Sequence, residues 1–361
     1  MQKHVMLIVT GATGQLGRLV MEHLLELAPA DQVAAMVRDP GKAADLAARG
    51  IRIRTADYDN PHSLSGAFGT GDRVLLISGN DTARHVPQHL AVIDATKAAG
   101  VAQLAYTGIL GGGAGQTVFA AHHTTEHAIQ DSGLPYTSLR NGWYTENYTA
   151  QLPTMLERGV LLGSAAPDSR IASATHADYT AAAAAVLTGE GHDNAVYELS
   201  GDSTWSLAEY AAEVSRQSDR PAVYQQLTAD HHHQILLDSG LPKELADALL
   251  DAEDLVSRGE LARTTGDLSR LIGRPTTPLA RTVKDDRAIQ LVVAHHDPPV
   301  RMRRLARDQG LVSPDADEID PPAPAGARGS GGRPPTAPQH GLDHPPLGRP
   351  PHPRPSFRAS P

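Results

Sequence analysis

The sequence predicts an α/β fold: a Rossmann-type doubly wound parallel sheet, a smaller C-terminal α/β substrate domain and a disordered tail. Three observations carry this prediction. Short apolar runs alternate with helical patterns through residues 1–150. A glycine-rich turn, Gly11–Gly17, separates the first run from the first helix. Near Asp297 the composition changes, and sixteen of the 27 prolines lie between Pro298 and Pro361.

Val5–Val9 reads as a strand, and Leu16, Leu19, Val20, Leu24 and Leu27 recur at helical spacing over Leu16–Leu27. Val33–Val37 is a second strand, Lys42–Ala48 a helix and Ile51–Arg54 a short strand. Val74–Ser78 is a strand followed by a helix over Gln88–Ala99; Val101–Thr107, Thr124–Asp131 and Tyr136–Arg140 continue as strand, helix and strand. Strands separated by helices need right-handed crossovers, which build a parallel sheet covered on both faces. Residues 1–150 are therefore assigned to a dinucleotide-type domain. Residues 151–283 are less regular and are assigned to a substrate or lid domain, with part of 166–190 free to return to the first. They contain helical patterns over Asp178–Leu187, Leu207–Ser215, Ala229–Leu237 and Lys243–Leu250, and strands at Ala195–Leu199 and Val223–Leu227. Ser203, Thr204 and Ser206 compete to cap the second of these helices.

Hydrophobic residues make up 40% of the 361, enough for a sizeable core, but aromatics only 4%, so that core rests on Ala, Leu, Val and Ile. The absence of cysteine excludes disulfides, thiolate metal sites and cysteine nucleophiles, and fits a reducing compartment. Val5–Val9 is too short for a signal core or a membrane span, so a soluble cytoplasmic protein is expected. The net charge is −9; the segment from Lys284 has 11 basic against 9 acidic residues, leaving −11 for residues 1–283. An acidic body repels phosphate backbones, which argues against a nucleic-acid partner. The oligomeric state is open, homo-oligomers included. Residues 284–361 are expected to form no packed core beyond Asp297, since proline and glycine dominate there. Their mixture of Pro, Arg, Gly and His also resembles an out-of-frame reading of a GC-rich gene.

The strongest chemical signal is Thr10-Gly11-Ala12-Thr13-Gly14-Gln15-Leu16-Gly17, between a strand and a helix. Gly11 permits a tight turn, Gly14 lets a pyrophosphate approach the backbone, and Gly17 lets the helix pack closely on the sheet. The free N–H groups of the helix start then face the phosphates. The second strand ends in Arg38-Asp39. An arginine there pairs with a 2′-phosphate and favours NADPH; Asp39 keeps NADH open through the ribose hydroxyls. Later strand ends bring Asn80-Asp81-Thr82 and the cluster Asn141-Gly142-Trp143-Tyr144-Thr145-Glu146 to the same edge of the sheet.

These segments resemble the NmrA-like group of atypical short-chain dehydrogenases, and within it the quinone-reducing members. The resemblance rests on TGATGQLG, VRDP, RNGWYTENY (Arg140–Tyr148), RIASATHADY (Arg170–Tyr179), VYELSGD (Val196–Asp202) and LSRLIGRPTTPLA (Leu268–Ala280). It covers roughly residues 5–283. It implies that Gly11–Leu16 (Gly11, Ala12, Thr13, Gly14, Gln15, Leu16) and Arg38 hold NADPH. It further implies that Asn80–Thr82, Asn141–Glu146 and Ala174, Thr175 and His176 line the rest of the cleft, and that a quinone is the small-molecule partner. The sequence departs from the group at Gly79-Asn80-Asp81, where a serine-rich turn is usual, and at Gly111–Gly115.

No tyrosine has a lysine four residues later. Without that pair a ketone's developing oxyanion lacks an acid, whereas a reduced quinone delocalises its charge and needs positioning more than protonation. Asn141, Tyr144 and His122 are the candidate catalytic residues. His122-His123 and His127 lie near the expected cleft, where one could protonate a quinol anion; the plainer reading is a solvated helix start. His231-His232-His233 is read as surface, because adjacent helical residues point apart, and no metal site is assigned. The alternative to an enzyme is a dinucleotide-sensing regulator, which would also lack the Tyr–Lys pair.

Overall fold

The structure, a computed structural model, describes residues 5–79, 84–113, 120–286 and 289–290. Its first half alternates as the sequence predicts: β1 (Leu7–Val9), α1 (Gln15–Leu27), β2 (Val33–Val37), α2 (Ala44–Ala48), β3 (Arg52–Thr55), α3 (Pro61–Leu64), β4 (Arg73–Leu76), α4 (His85–Ala99), β5 (Gln103–Ile109), α5 (Ala120–Asp131) and β6 (Tyr136–Asn141). The second half contributes α6 (Glu146–Thr149), α7 (Leu152–Arg158), β7 (Val160–Gly163), β8 (Arg170–Ile171), α8 (His176–Thr188), β9 (Ala195–Leu199), β10 (Trp205–Ser206), α9 (Leu207–Ser218), β11 (Val223–Gln226), α10 (Ala229–Asp238), α11 (Lys243–Ser257), α12 (Asp267–Ile272) and α13 (Leu279–Asp285).

Seven parallel strands form the main sheet in the order β3-β2-β1-β4-β5-β6-β9. The order reverses beside β1, where Leu7 aligns with Val33 on one side and Arg73 on the other. Strands covered on both faces read as continuous apolar runs, and every residue of β2 is buried. Their period of two divides the core. Leu7, Val9, Val33, Ala35 and Leu75 pack with Val20, Met21 and Leu24 of α1 and the alanines of α8. Ile8, Ala34, Met36, Val74 and Leu76 pack with Val92 and Ile93 of α4 and Ile129 of α5. Each fully buried aliphatic side chain contributes roughly 1.5–3 kcal/mol.

The structure moves one strand and extends one helix. Ala195–Leu199, grouped by sequence with the later segment, pairs with β6 from Thr137↔Ala195 to Asn141↔Leu199 and becomes the sheet's last strand. Helix α4 begins at His85, earlier than its apolar pattern, because His85, Gln88 and His89 are themselves buried. The remaining elements enclose a third core containing Leu152, Met155, Ile171, Trp205, Tyr210, Val214 and Val256. Of the three competing caps, Ser206 holds the N-terminus of α9: its Oγ accepts from Glu209 N at 3.2 Å, and Glu209 Oε2 accepts from Ser206 N at 3.1 Å. The motif Leu268–Ala280 acts as a clasp. Fully buried Asp178 of α8 accepts from Thr277 N at 2.8 Å and pairs with Arg274 at 2.7 Å. Asp202 Oδ2 accepts from Thr276 N at 2.7 Å.

The His231–His233 reading changes too. His232 is buried, with Nδ1 3.0 Å from Glu253 Oε2, while His231 is exposed. His233 turns to Asp247 instead, so the adjacent rings do diverge. Among the described residues no helix is long and apolar enough to cross a membrane. Residues 291–361, and with them the forecast for the tail beyond Asp297, lie outside the described residues.

Candidate active site

The site begins where the strand order reverses, at the C-terminal ends of β1 and β4. Thr10 ties these ends together: its N–H donates to Leu75 O at 3.0 Å and its Oγ1 accepts from Ile77 N at 3.0 Å. The chain then turns sharply at Gly11, whose φ of +59° disfavours a side chain, and Gly14 N closes the turn on Gly11 O at 2.9 Å. Gly14 caps α1 with no side-chain hydrogen bond, and the first turn carries no acidic residue. The free N–H groups there are left for an anion. Gly17 serves a purpose slightly different from the one expected: a Cβ there would come within 2.3 Å of Gly11 O and 2.7 Å of Ala12 Cα. The close approach is of the helix to its own turn.

Arg38 follows β2, whose register (Val9↔Ala35) brings it alongside the glycine turn. It is exposed and makes no hydrogen bond or ion pair among the described residues. Asp39 is different: its Oδ1 accepts from Gly41 N at 2.9 Å and caps the short 3-10 turn Pro40–Ala43. The acidic candidate is thus engaged by its own backbone, while the basic one is free. Asn80, Asp81 and Thr82 lie outside the described residues.

Two distant motifs meet beyond the end of β6. Tyr144 bridges to Ala174, with Thr145 N donating to Ala174 O at 2.9 Å and Ala174 N to Trp143 O at 3.2 Å. Thr145 Oγ1 lies 2.8 Å from Ser173 Oγ, which also accepts from Trp205 Nε1 at 3.0 Å. Thr175 caps α8 through Asp178 N. The Tyr144 ring stacks on His176 at 4.1 Å between centroids. Glu146 Oε1 accepts from His176 N at 2.8 Å; its Oε2 is 3.1 Å from His176 Nδ1 but out of line for a hydrogen bond. Asn141 Nδ2 donates to Tyr144 Oη at 3.4 Å, and its buried Oδ1 has no partner among the described residues. Burial raises the Tyr144 hydroxyl pKa above its ordinary value, so it stays protonated at neutral pH. Its oxygen accepts from Asn141, leaving its proton to donate.

A cavity of about 400 Å³ adjoins this corner, lined by Ile109, Leu110, Gly111, Gly142, Trp143, Leu255, Gly259, Glu260, Leu261 and Arg263. One wall is the turn after β5, where Gly111 (φ +76°) and Gly112 (φ +73°) are both left-handed. Arg140 lies beneath it. Its Nη2 is 2.6 Å from Glu126 Oε2, its Nη1 is 2.7 Å from Glu198 Oε1, and Glu198 Oε2 accepts from Gly111 N at 2.7 Å. A Cβ on Gly112 would approach Arg140 Nη2 to 2.7 Å. Sequence reading missed this clamp because its members sit on three separate elements. The departure at Gly111–Gly112 from the family pattern is the one local signal of it.

His122 is not a solvated helix start. Its Nδ1 is 2.8 Å from Tyr106 Oη, and its ring packs 4.9 Å from His85, which packs 4.1 Å from His89. His89 Nε2 accepts from Gly79 N at 3.3 Å, so its Nδ1 carries the proton and donates to Thr125 Oγ1 at 3.0 Å. Burial first, and the neighbouring imidazoles second, push His89 down to about 3 and His122 to about 4. Unfolded histidine titrates near ~6.5, so these groups stabilise the fold fully above that pH and progressively less as pH falls toward their folded values. Each can contribute a slope of up to about 1.4 kcal/mol per pH unit. Urea midpoints measured between pH 7.5 and 5 should fall, and His122→Gln should flatten the decline. Parallel profiles for variant and wild type would refute a neutral buried His122.

A glycine turn at the reversal of a parallel sheet, a free arginine at the next strand end and a polar corner with an orphaned amide oxygen define a dinucleotide-binding α/β protein. The chain belongs to the NAD(P)H-binding family whose model matches residues 11–204. It is 48% identical over 279 residues to Quinone oxidoreductase 2 of Escherichia coli, an alignment spanning 77% of this chain and 97% of that protein. The crystal structure of the NADPH-dependent quinone oxidoreductase from E. coli complexed with NADPH matches with a TM-score of 0.74, covering 77% of this chain and 98% of that one. The triphenylmethane reductase of Citrobacter sp., complexed with NADP(H), matches at 38% identity and a TM-score of 0.74, over 77% and 99% of the two chains. The transcriptional regulator NmrA in complex with NAD shares the fold alone, at 16% identity and a TM-score of 0.66, over 81% and 98%.

Proposed function

We propose that this chain is a cytoplasmic oxidoreductase that uses NADPH to reduce a quinone or a similarly electron-poor acceptor. The observation that carries this reading is 48% identity along 97% of Quinone oxidoreductase 2. The residues fit the cofactor: the side-chain-free cradle at Gly11 and Gly14, the unpaired Arg38 and the orphaned Asn141 Oδ1 are what a 2′-phosphorylated dinucleotide requires. When bound, NADPH supplies the hydride. The chain's own task is then to hold the two reactants and exclude water. Gly11–Leu16 take the pyrophosphate and Arg38 the 2′-phosphate; Asn80–Thr82 are assigned to the ribose and phosphate side. Asn141 offers its free amide oxygen at the nicotinamide end. Gly142–Glu146 and Ala174–His176 frame that end. Tyr144 donates its proton as a hydrogen bond to the acceptor oxygen. Residues 151–283 supply the acceptor side, with Leu255 and Leu261 lining the cavity together with Trp143. Burial keeps His122 neutral at pH 7 against Tyr106 and His85, so the hydrogen bond to the acceptor is assigned to Tyr144 and not to His122.

The reading is tested by mixing the protein with NADPH and a benzoquinone and following the absorbance of the reduced nicotinamide. Acceptor-dependent oxidation, faster with NADPH than with NADH, is expected. Asn141→Ala should lower kcat by about tenfold or more while changing NADPH affinity less, as loss of one charge-free hydrogen bond would. Tight NADPH binding with no oxidation across several quinones would leave the regulator reading instead. Arg38→Ala should weaken NADPH binding by about 10- to 100-fold, equivalent to ~1.5–3 kcal/mol, and spare NADH. Equal losses for both nucleotides would make Arg38 merely structural.

A further inference from the structure

Helix α5 turns its inner face to the site through Thr125 and Glu126 and leaves two imidazoles outside. His123 and His127 stand four residues apart, so they share one face of the helix. His127 is exposed and His123 half-buried. Their ring centroids are 4.3 Å apart at 70°, and their Nε2 atoms face each other at 3.1 Å. Neither ring nitrogen pair has another partner among the described residues.

That spacing matches a chelate bite. A first-row divalent ion bound by imidazole sits about 2.0–2.1 Å from nitrogen, so two nitrogens 3.1 Å apart subtend about 100° at the metal. This lies between the right angle of a square-planar or octahedral site and the tetrahedral angle. We propose that His123 and His127 form a surface site for a late first-row divalent ion, with Cu(II) held most tightly. Imidazole pairs favour copper, nickel and zinc, and affinity peaks at Cu(II) along the series. Mg(II) and Ca(II) want oxygen ligands and are excluded by the same donor set. Among the described residues no cluster of three or more His, Cys, Asp or Glu is placed to hold a metal ion. Water therefore completes the coordination and the ion exchanges freely, unlike a four-ligand structural zinc. An occupied site would staple successive turns of the helix whose inner face positions Glu126 against Arg140. It would stabilise the folded chain by mass action.

The full chain, stripped with a chelator, would be titrated with Cu(II), Zn(II) and Mg(II) by calorimetry, with the copper followed by electron paramagnetic resonance. The expected result is a Cu(II) equivalent with nitrogen hyperfine structure, weaker Zn(II) binding and no Mg(II) binding. His127→Gln should weaken that copper equivalent at least tenfold, and His123→Gln/His127→Gln should remove it while leaving the melting temperature of the metal-free protein unchanged. A double variant that keeps the same number of copper equivalents and the same spectrum would overturn the site. So would wild-type protein that takes up no Cu(II).

Discussion

Replacing Gly14 by valine should leave a folded protein that no longer binds NADPH at concentrations saturating the wild type. Gly14 has an ordinary φ of −75°, so the backbone accepts a side chain there. The new Cβ would lie 3.2 Å from Gly11 O, a tight contact that a shift of a few tenths of an ångström relieves. The valine methyls would then cover the uncapped start of α1, where the pyrophosphate must approach. Each charge-assisted hydrogen bond lost costs about 1.5–3 kcal/mol, so losing two should weaken affinity by a factor on the order of 100 or more. Fluorescence titration with NADPH measures this, and a melting curve checks the fold. Gly17→Ala is the contrasting variant: its Cβ would meet backbone at 2.3 Å, so it should lose stability first and affinity only as a consequence. A Gly14→Val protein with wild-type affinity would remove this turn from the nucleotide site.

Arg140→Met should be the most destabilising single change at the site. The substitution strands Glu126, whose side chain is 3% exposed, with no counter-charge, and frees Glu198 from its closest cation. Removing one partner of a buried ion pair costs about 3–5 kcal/mol, because the remaining charge stays desolvated. Urea unfolding should show that loss. Arg140→Met/Glu126→Gln should recover a good part of it, since the stranded charge is gone. The double variant would still lack the guanidinium beneath Gly111–Gly112, so its KM for the quinone should remain raised while NADPH affinity stays near wild type. A double variant no more stable than the single would show that the cost lies in packing around the arginine stem.

Val33–Val37 was legible because a strand covered on both faces must be apolar throughout, and the glycine turn because its spacing has a steric cause at each position. Strand β8, two residues long, carries too little pattern to be read, and it pairs with Trp205 and Ser206 more than thirty positions away. The start of α4 was hidden because the cluster it buries is made of histidines, which no apolar periodicity registers. His122 was read as solvated for the same reason: its partner Tyr106 belongs to a strand, and only the fold brings strand and helix together. The Arg140 clamp spans separations of 14 and 58 residues, beyond any local rule. The clasp of Arg274 and Thr277 on Asp178 was visible only as an unexplained motif near the end of the family-like region.

The engagement of Asp39 by Gly41 bears on how nucleotide preference could be re-engineered. An exchange of Arg38 for a neutral residue subtracts a preference without creating its opposite. The carboxylate that would meet an unphosphorylated ribose already uses Oδ1 to cap the 3-10 turn Pro40–Ala43. An NADH-selective descendant would have to bind the ribose hydroxyls through the remaining Asp39 oxygen, with Oδ1 held by the cap. Under the proposed reading selectivity is asymmetric: losing Arg38 abandons it, whereas reversing it also requires a positive contact to the unphosphorylated ribose.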